Sequence, residues 1–307
     1  MTEFQLYKKR DFSAFISDTL QFFKLFWKNY FRNYVVINGA LLLLMCVLYY
    51  LVFKDMFKNV YTPNMPAGSW LTNISNPGIF YWGMSLFFLV SIALSVFTVA
   101  FPMIYLKLLK TKEEDSITSS DLFNGIKIYA GRLILFGLIS FFVMLPLLAI
   151  VGAIGAALSI VIIGIPILFL AIPTFMIWIT QAMYVFLEED APYFKALGEG
   201  WKITFEKYWI VVFSTIVLFL FVMIVSSIFS MVPSMMMIGS IFTSGGHPEA
   251  VTMTPTMLAF SIIGMIFSYF VSNVLYIQQG LVYYSSRENS VNYQAHSEIE
   301  NIGKNEA

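Results

Sequence analysis

Charged residues cut the chain into long apolar runs, and the runs have the length of membrane-crossing helices. About 20 predominantly apolar residues are needed to cross a hydrocarbon core of about 30 Å. Arg32 to Lys54 encloses one such run, 34–53, and Lys58 to Lys107 encloses a polar stretch followed by a second, 80–106. Arg132 to Glu188 is uncharged and long enough for two helices, 133–157 and 160–187, with a turn near Ala157-Leu158-Ser159. A fifth span is expected at 209–232, with Pro233 marking its end. The sixth is expected at 256–284, between Pro255 and Arg287.

Between these runs the polar pattern changes period. Phe12, Phe15, Ile16, Leu20, Phe23, Phe26, Trp27 and Tyr30 recur at helical spacing, with Asp18, Lys24 and Lys28 toward the other side. Phe194, Leu197, Trp201, Phe205 and Tyr208 make a second such stripe, with Lys195/Glu199 and Lys202/Glu206 paired at i,i+4. Amphipathic helices lying on the membrane surface are therefore expected at 12–31, 119–131 and 192–207. Trp27, Lys28, Lys127, Trp201, Lys202 and Tyr208 are the expected interfacial anchors.

These segments also repeat. Leu122, Gly125, Lys127 and Ile128 match Leu197, Gly200, Lys202 and Ile203 at an offset of 75, as Glu113-Glu114-Asp115 matches Glu188-Glu189-Asp190. Trp27, Lys28, Phe31 and Tyr34 match Trp201, Lys202, Phe205 and Tyr208 at an offset of 174. The expected fold is all-α integral membrane, six transmembrane helices as three hairpin repeats, each preceded by a cytoplasmic interfacial helix. The units are 1–106, 107–187 and 188–284, with 285–307 a disordered cytoplasmic tail. Because each unit crosses twice, the repeats are expected to be related by an axis along the membrane normal.

Composition narrows the function. Hydrophobic residues make up 59% and charged residues 12%, about half the charge of a soluble domain, which marks an integral membrane protein. All 18 basic residues except Lys54 and Lys58 fall on one side of the expected topology, so both termini are expected in the cytoplasm. The polar N-terminal 33 residues do not read as a signal peptide. Basic and acidic residues balance at 18 each, which argues against a nucleic-acid partner. A single cysteine, Cys46, excludes a disulfide framework, and two histidines, His247 and His296, leave little for a His-based site.

The acidic trios are read as solvated loop charges at helix starts, ahead of a divalent-cation site. No charged residue lies inside a span, which argues against an ion-coupled carrier. The polar residues within spans, Asn38, Gln181, Asn273, Gln278 and Gln279, are expected to hydrogen-bond between helices. Pro146, Pro166 and Pro173, with Gly152, Gly155 and Gly164, interrupt the central hairpin. Helix packing, with Gly152 and Ala156 as a small-residue face, is favoured over a substrate path. His247 reads as a loop residue, and Asn73-Ile74-Ser75 is a glycosylation pattern short enough to arise by chance.

The stretches Tyr184 to Asp190, Ala196 to Thr204 and Tyr208-Trp209 resemble a family. They are similar to the polytopic bacterial membrane domain fused to some glycerophosphodiester phosphodiesterases, and to related six-helix membrane proteins, which place an A-L-x-x-S/G-W-x-x-T helix before a span. This chain has Gly200 where serine is usual. The resemblance implies the fold of the membrane part alone. The family's catalytic barrel, with its metal-binding His and Glu, has no counterpart where no polar segment exceeds about 33 residues. No phosphate loop, nucleophile elbow or metal-ligand pair is found, so no catalytic, cofactor-binding or metal residue is assigned. The expectation is a non-enzymatic membrane scaffold or assembly partner, without cofactor, in contact with membrane lipids and other membrane proteins. The alternative is a lipid or small-molecule translocator without ion coupling.

Overall fold

A computed structural model describes residues 4–59, 76–112, 116–159, 164–243 and 255–291. Among these the chain is all helical: α1 Phe12–Asn59, α2 Pro77–Leu108, α3 Ser119–Ser159, α4 Gly164–Glu188, α5 Tyr193–Glu206, α6 Tyr208–Thr243 and α7 Pro255–Val291. Six of them, all but α5, are long and apolar enough to cross a membrane. The chain is built as a multi-pass helical membrane protein. His247, His296, Asn73-Ile74-Ser75 and Glu113-Glu114-Asp115 lie outside the described residues.

Several boundaries differ from the sequence expectation. Pro233 does not end α6, which runs ten residues further, to Thr243. Pro102, Pro146 and Pro173 likewise sit inside α2, α3 and α4. Such prolines persist in membrane helices because neighbouring groups satisfy the backbone they free. The segment from 285, expected to be disordered, is helical as far as Val291, with Ser285, Ser286 and Glu288 buried; the rest of it lies outside the described residues. The segments 12–31 and 119–131, expected as separate surface helices, are continuous with the spans that follow them in α1 and α3. At 1.5 Å per residue α1 is about 72 Å long, more than twice a hydrocarbon core. Neither Gly nor Pro occurs between Phe12 and Asn38 to kink it. Only α5 is separate, broken from α6 at Lys207, whose backbone leaves the helix at φ −132°, ψ 52°.

The chain forms two compact units. The first comprises Met1–Asn33, Val99–Leu220 and Val274–Ala307. Its aromatic core joins α1 to α2: Tyr30 packs edge-on against Phe22 at 5.6 Å, Phe101 at 5.0 Å and Tyr105 at 4.9 Å. Asn29 and Asn33 donate to the Ile117 carbonyl, and Ser119 donates to Asn33, which fixes the start of α3 against α1. α5 lies close against the backbone of α4. A Cβ on Gly200 would stand 2.5 Å from the Ala182 nitrogen and 2.7 Å from its Cα. The Trp178 indole donates to the Leu197 carbonyl at 2.9 Å beside that contact. Between α3 and α4 the close approach is at Gly155, against Leu168. Gly152, half of the expected small-residue face, has no neighbour within 4 Å of where its Cβ would be.

The second unit comprises Tyr34–Thr98 and Phe221–Asn273. The Tyr34 hydroxyl donates across helices to the Tyr269 carbonyl at 3.2 Å, and its ring packs on Phe270 at 5.2 Å. Val52 and Phe80 are buried together beside Phe53 and Met84. Gly264 admits Phe229 of α6, which stacks obliquely on Phe267 at 4.6 Å.

These glycine environments give a prediction. Gly200→Ala must push α5 from the α4 backbone and is expected to destabilise the protein by about 1–3 kcal/mol. Gly152→Ala meets open space and is expected to be neutral. Thermal unfolding of both variants in one detergent checks the pair, and equal midpoints would rule out the close α4–α5 contact.

Candidate functional site

The polar residues of the first unit fall into three groups. The first is a knot of fully buried side chains from α4, α6 and α7. Gln181 on α4 donates to the Gln279 carbonyl and to Gln279 Oε1, both at 3.0 Å. Gln279 donates to Gln278 Oε1 at 2.6 Å and to Thr215 Oγ1 at 3.1 Å. Gln278 donates to Ser214 Oγ at 3.3 Å and to Thr215 Oγ1 at 3.1 Å. All five side chains are inaccessible to solvent. Gln181, Gln278 and Gln279 were legible as intramembrane polar residues; Ser214 and Thr215 were not, because hydroxyls are common in apolar helices and carry no period of their own.

The second group gathers where α2, α4 and α7 end. Glu188 Oε2 accepts from Lys110 at 2.8 Å and lies 3.9 Å from Lys107, while its Oε1 accepts from Tyr284 at 3.3 Å. Glu189 accepts from Tyr283 at 2.8 Å and pairs with Arg287 at 2.5 Å. Asp190 pairs with Arg132, whose guanidinium also donates to the Phe186 carbonyl at 2.6 Å and lies over the Phe186 ring. Asp190 takes a left-handed backbone, φ 51°, which a short acidic side chain tolerates. The trio was expected to be solvated loop charge. Each acid is an ion-pair acceptor; Glu188, its side chain 10% exposed, departs from that expectation, whereas Asp190, 77% exposed, is solvated as expected. Among the described residues no cluster of His, Cys, Asp or Glu is arranged to hold a metal ion.

The third group is the N-terminal segment, whose role sequence reasoning missed. Arg10 counted there only as one more positive charge. Its side chain is wholly buried, donating to Asp18 at 2.9 Å, to the Leu6 carbonyl at 2.8 Å and to the Gln5 carbonyl at 2.6 Å. Its backbone N–H donates to Ser285 on α7 at 3.0 Å, and Lys207 reaches its carbonyl at 3.5 Å. Burial pushes the Arg10 guanidinium below its ordinary value, and the Asp18 carboxylate pulls it back. Nearby, Ser286 and Asn289 of α7 donate to Glu206 at the end of α5.

The remaining sequence-chosen residues fall as follows. Trp27, Lys28, Lys127, Trp201 and Lys202 are exposed, and Tyr208 is half-buried. Tyr208 shares a hydrogen bond with Thr174 at 3.0 Å. In the second unit Asn38 and Asn273 are buried and bond back to carbonyls of their own helices, Tyr34 at 3.2 Å and Tyr269 at 2.8 Å; Asn273 also hydrogen-bonds the Tyr34 side chain. On α5, Lys202 donates to Glu199 at 2.7 Å and holds that carboxyl below its ordinary value.

Set against family models, curated proteins and solved structures, the chain matches none.

Two predictions follow from the ion pairs. Asp18→Asn strands the buried Arg10 charge and is expected to cost about 3–5 kcal/mol, most of it recovered in Arg10→Met/Asp18→Asn. Unfolding of these two variants and of Arg10→Met tests the coupling, and additive losses would break it. Because the folded Glu199 pKa is depressed, its stabilisation is present above the ordinary carboxylate value and fades as pH falls through the depressed one. Glu199→Gln is expected to flatten the acid side of the thermal midpoint against pH between about 6 and 3, leaving the neutral side unchanged.

Proposed function

We propose that the chain is a non-enzymatic multi-pass membrane scaffold or assembly partner. The observation that carries this reading is the way its polar groups are spent. The intramembrane glutamines bond to one another and to Ser214 and Thr215. The charges at the helix ends are paired across α2, α4 and α7. Both arrangements hold helices in fixed register, as a rigid platform requires. Outward, in the first unit, α3 exposes Phe141, Phe142 and Ile150, and α6 exposes Phe213, to lipid or another membrane protein.

The translocator alternative draws on the prolines and glycines of the central hairpin and on the repeat. Pro146 and Pro173 lie inside continuous helices, α3 and α4, which weakens the first of these two grounds.

In this reading the basic helix ends face the cytoplasm of a bacterial inner membrane. α5 lies along the interface, with Phe194, Trp201 and Phe205 exposed toward lipid and Lys202 toward headgroups. The repeat gains support from matched packing. Gly125 abuts Ile104 of the preceding span as Gly200 abuts Ala182, and Leu122 and Leu197 are both buried. Ile128, 71% exposed, departs from its match Ile203, 4% exposed. The resemblance to the membrane part of glycerophosphodiester phosphodiesterases enters only as a proposal about fold.

Native mass spectrometry of the tagged protein, extracted gently from its own membrane, tests the function. A stoichiometric protein partner is the expected result. A monomer carrying one defined lipid, lost on altering Asn273, would overturn the scaffold in favour of translocation.

A further inference from the structure

The glutamine knot uses all of its amide hydrogens and leaves one acceptor over. Gln181, Gln278 and Gln279 each donate twice, and the side-chain carbonyls of Gln278 and Gln279 each accept. Gln181 Oε1 accepts nothing, although the residue is completely buried. Three residues further along α4, the Tyr184 hydroxyl, in a residue 1% exposed, is also without a hydrogen bond. One orphan is an acceptor and the other carries a donor, so the two are complementary.

Their placement brings both side chains to the same stretch of α7. Residues i and i+3 share a helix face, and a long helical side chain leans toward the N-terminus, which tilts Tyr184 over Gln181. Both then meet the same dipeptide of α7. The Gln181 amide bonds the Gln279 carbonyl at 3.0 Å, and a Cβ on Gly280 would stand 2.6 Å from Tyr184 Oη. Glycine at 280 lets Tyr184 Oη come this close to the α7 backbone, beside Leu106 of α2, whose Cδ1 would stand closer still to the same Cβ.

We infer that a single water molecule binds here, donating a hydrogen to Gln181 Oε1 and accepting the hydroxyl hydrogen of Tyr184. Buried waters hold two to four hydrogen bonds to polar groups that would otherwise go without. The ligand must donate and accept at once and be no larger than water, since Leu106 of α2 closes the site beside α4 and α7. It links two side chains of one helix that do not bond each other, and it completes the knot at bilayer depth. The inference is independent of whether the protein is a scaffold or a translocator.

Tyr184→Phe in the full chain, in detergent or nanodiscs, reads out the sign. If the hydroxyl bonds a bound water, its loss lowers the thermal midpoint by roughly 1–4 °C. If it is a true orphan, removing a buried unsatisfied oxygen leaves the midpoint unchanged or raises it, and the water site is overturned. Density from an experimental structure at high resolution decides independently. A peak within hydrogen-bond distance of both Gln181 Oε1 and Tyr184 Oη confirms the site. A protein atom filling that position overturns it.

Discussion

A polar side chain at bilayer depth has no solvent to turn to, and every hydrogen bond it needs must come from the protein. In the first unit that demand falls on three glutamines, and meeting it fixes α4, α6 and α7 relative to one another. Side-chain length decides who can do this. Glutamine is long enough to cross to the next helix, so Gln181 reaches both the backbone and the side chain of Gln279. In the second unit Asn38 is too short and falls back on the carbonyl one turn earlier in its own helix. There the cross-helix bond to the Tyr269 carbonyl is made by a tyrosine, Tyr34, whose hydroxyl stands far enough from its helix.

The ends of the helices obey a related rule with charge in place of amides. Glu188 and Glu189 leave α4 side by side and are taken up by different partners, the first by Lys107 of α2 and Lys110 just beyond it, the second by Arg287 from α7. Each also accepts from a tyrosine, Tyr284 and Tyr283 respectively. The Lys110 ammonium lies over the Tyr284 ring as well, 4.6 Å from its centroid, so cation, ring and carboxylate support one another. Exposed ion pairs contribute little, but a carboxylate as enclosed as Glu188 is costly to leave alone. The N-terminal segment is bound by the same logic, through an arginine with no exposed atoms to spare.

How much of this could be read from the chain depends on the range of the interaction. Span number and rough position follow from the spacing of charges, a property of the chain alone, and the six long apolar helices agree with it. The α5 boundaries were legible at 192–207 because its stripe and its i,i+4 pairs are local. Pro233 misled, since proline stops a helix in water but not where neighbours satisfy the freed carbonyls. The acidic trio misled for the opposite reason. Asp190 and Glu189 find their partners, Arg132 and Arg287, 58 and 98 residues away in sequence, and no local pattern distinguishes a paired carboxylate from a solvated one. Arg10 was illegible on the same grounds, its burial being set by Asp18 and Ser285.

The contrast between α1 and α5 shows what an amphipathic stripe does and does not specify. Both stripes alternate aromatic and charged residues, yet only one stands apart from its span. The difference lies in the junction. In α1 the segment around Arg32 has no residue that favours leaving the helix, so propagation continues at one hydrogen bond per residue fixed. At Lys207 the helix does break, and an unbroken run of ring contacts carries the chain round the corner. Trp201 stacks on Phe205 at 4.2 Å, Phe205 on Tyr208 at 4.9 Å, and Tyr208 meets Trp209 edge-on at 5.0 Å. Trp178 of α4 closes this run from behind at 4.9 Å from Trp201, and Thr174 anchors the Tyr208 hydroxyl. An amphipathic pattern states which face of a helix is apolar; whether that helix turns away from its span is decided by contacts made at the turn.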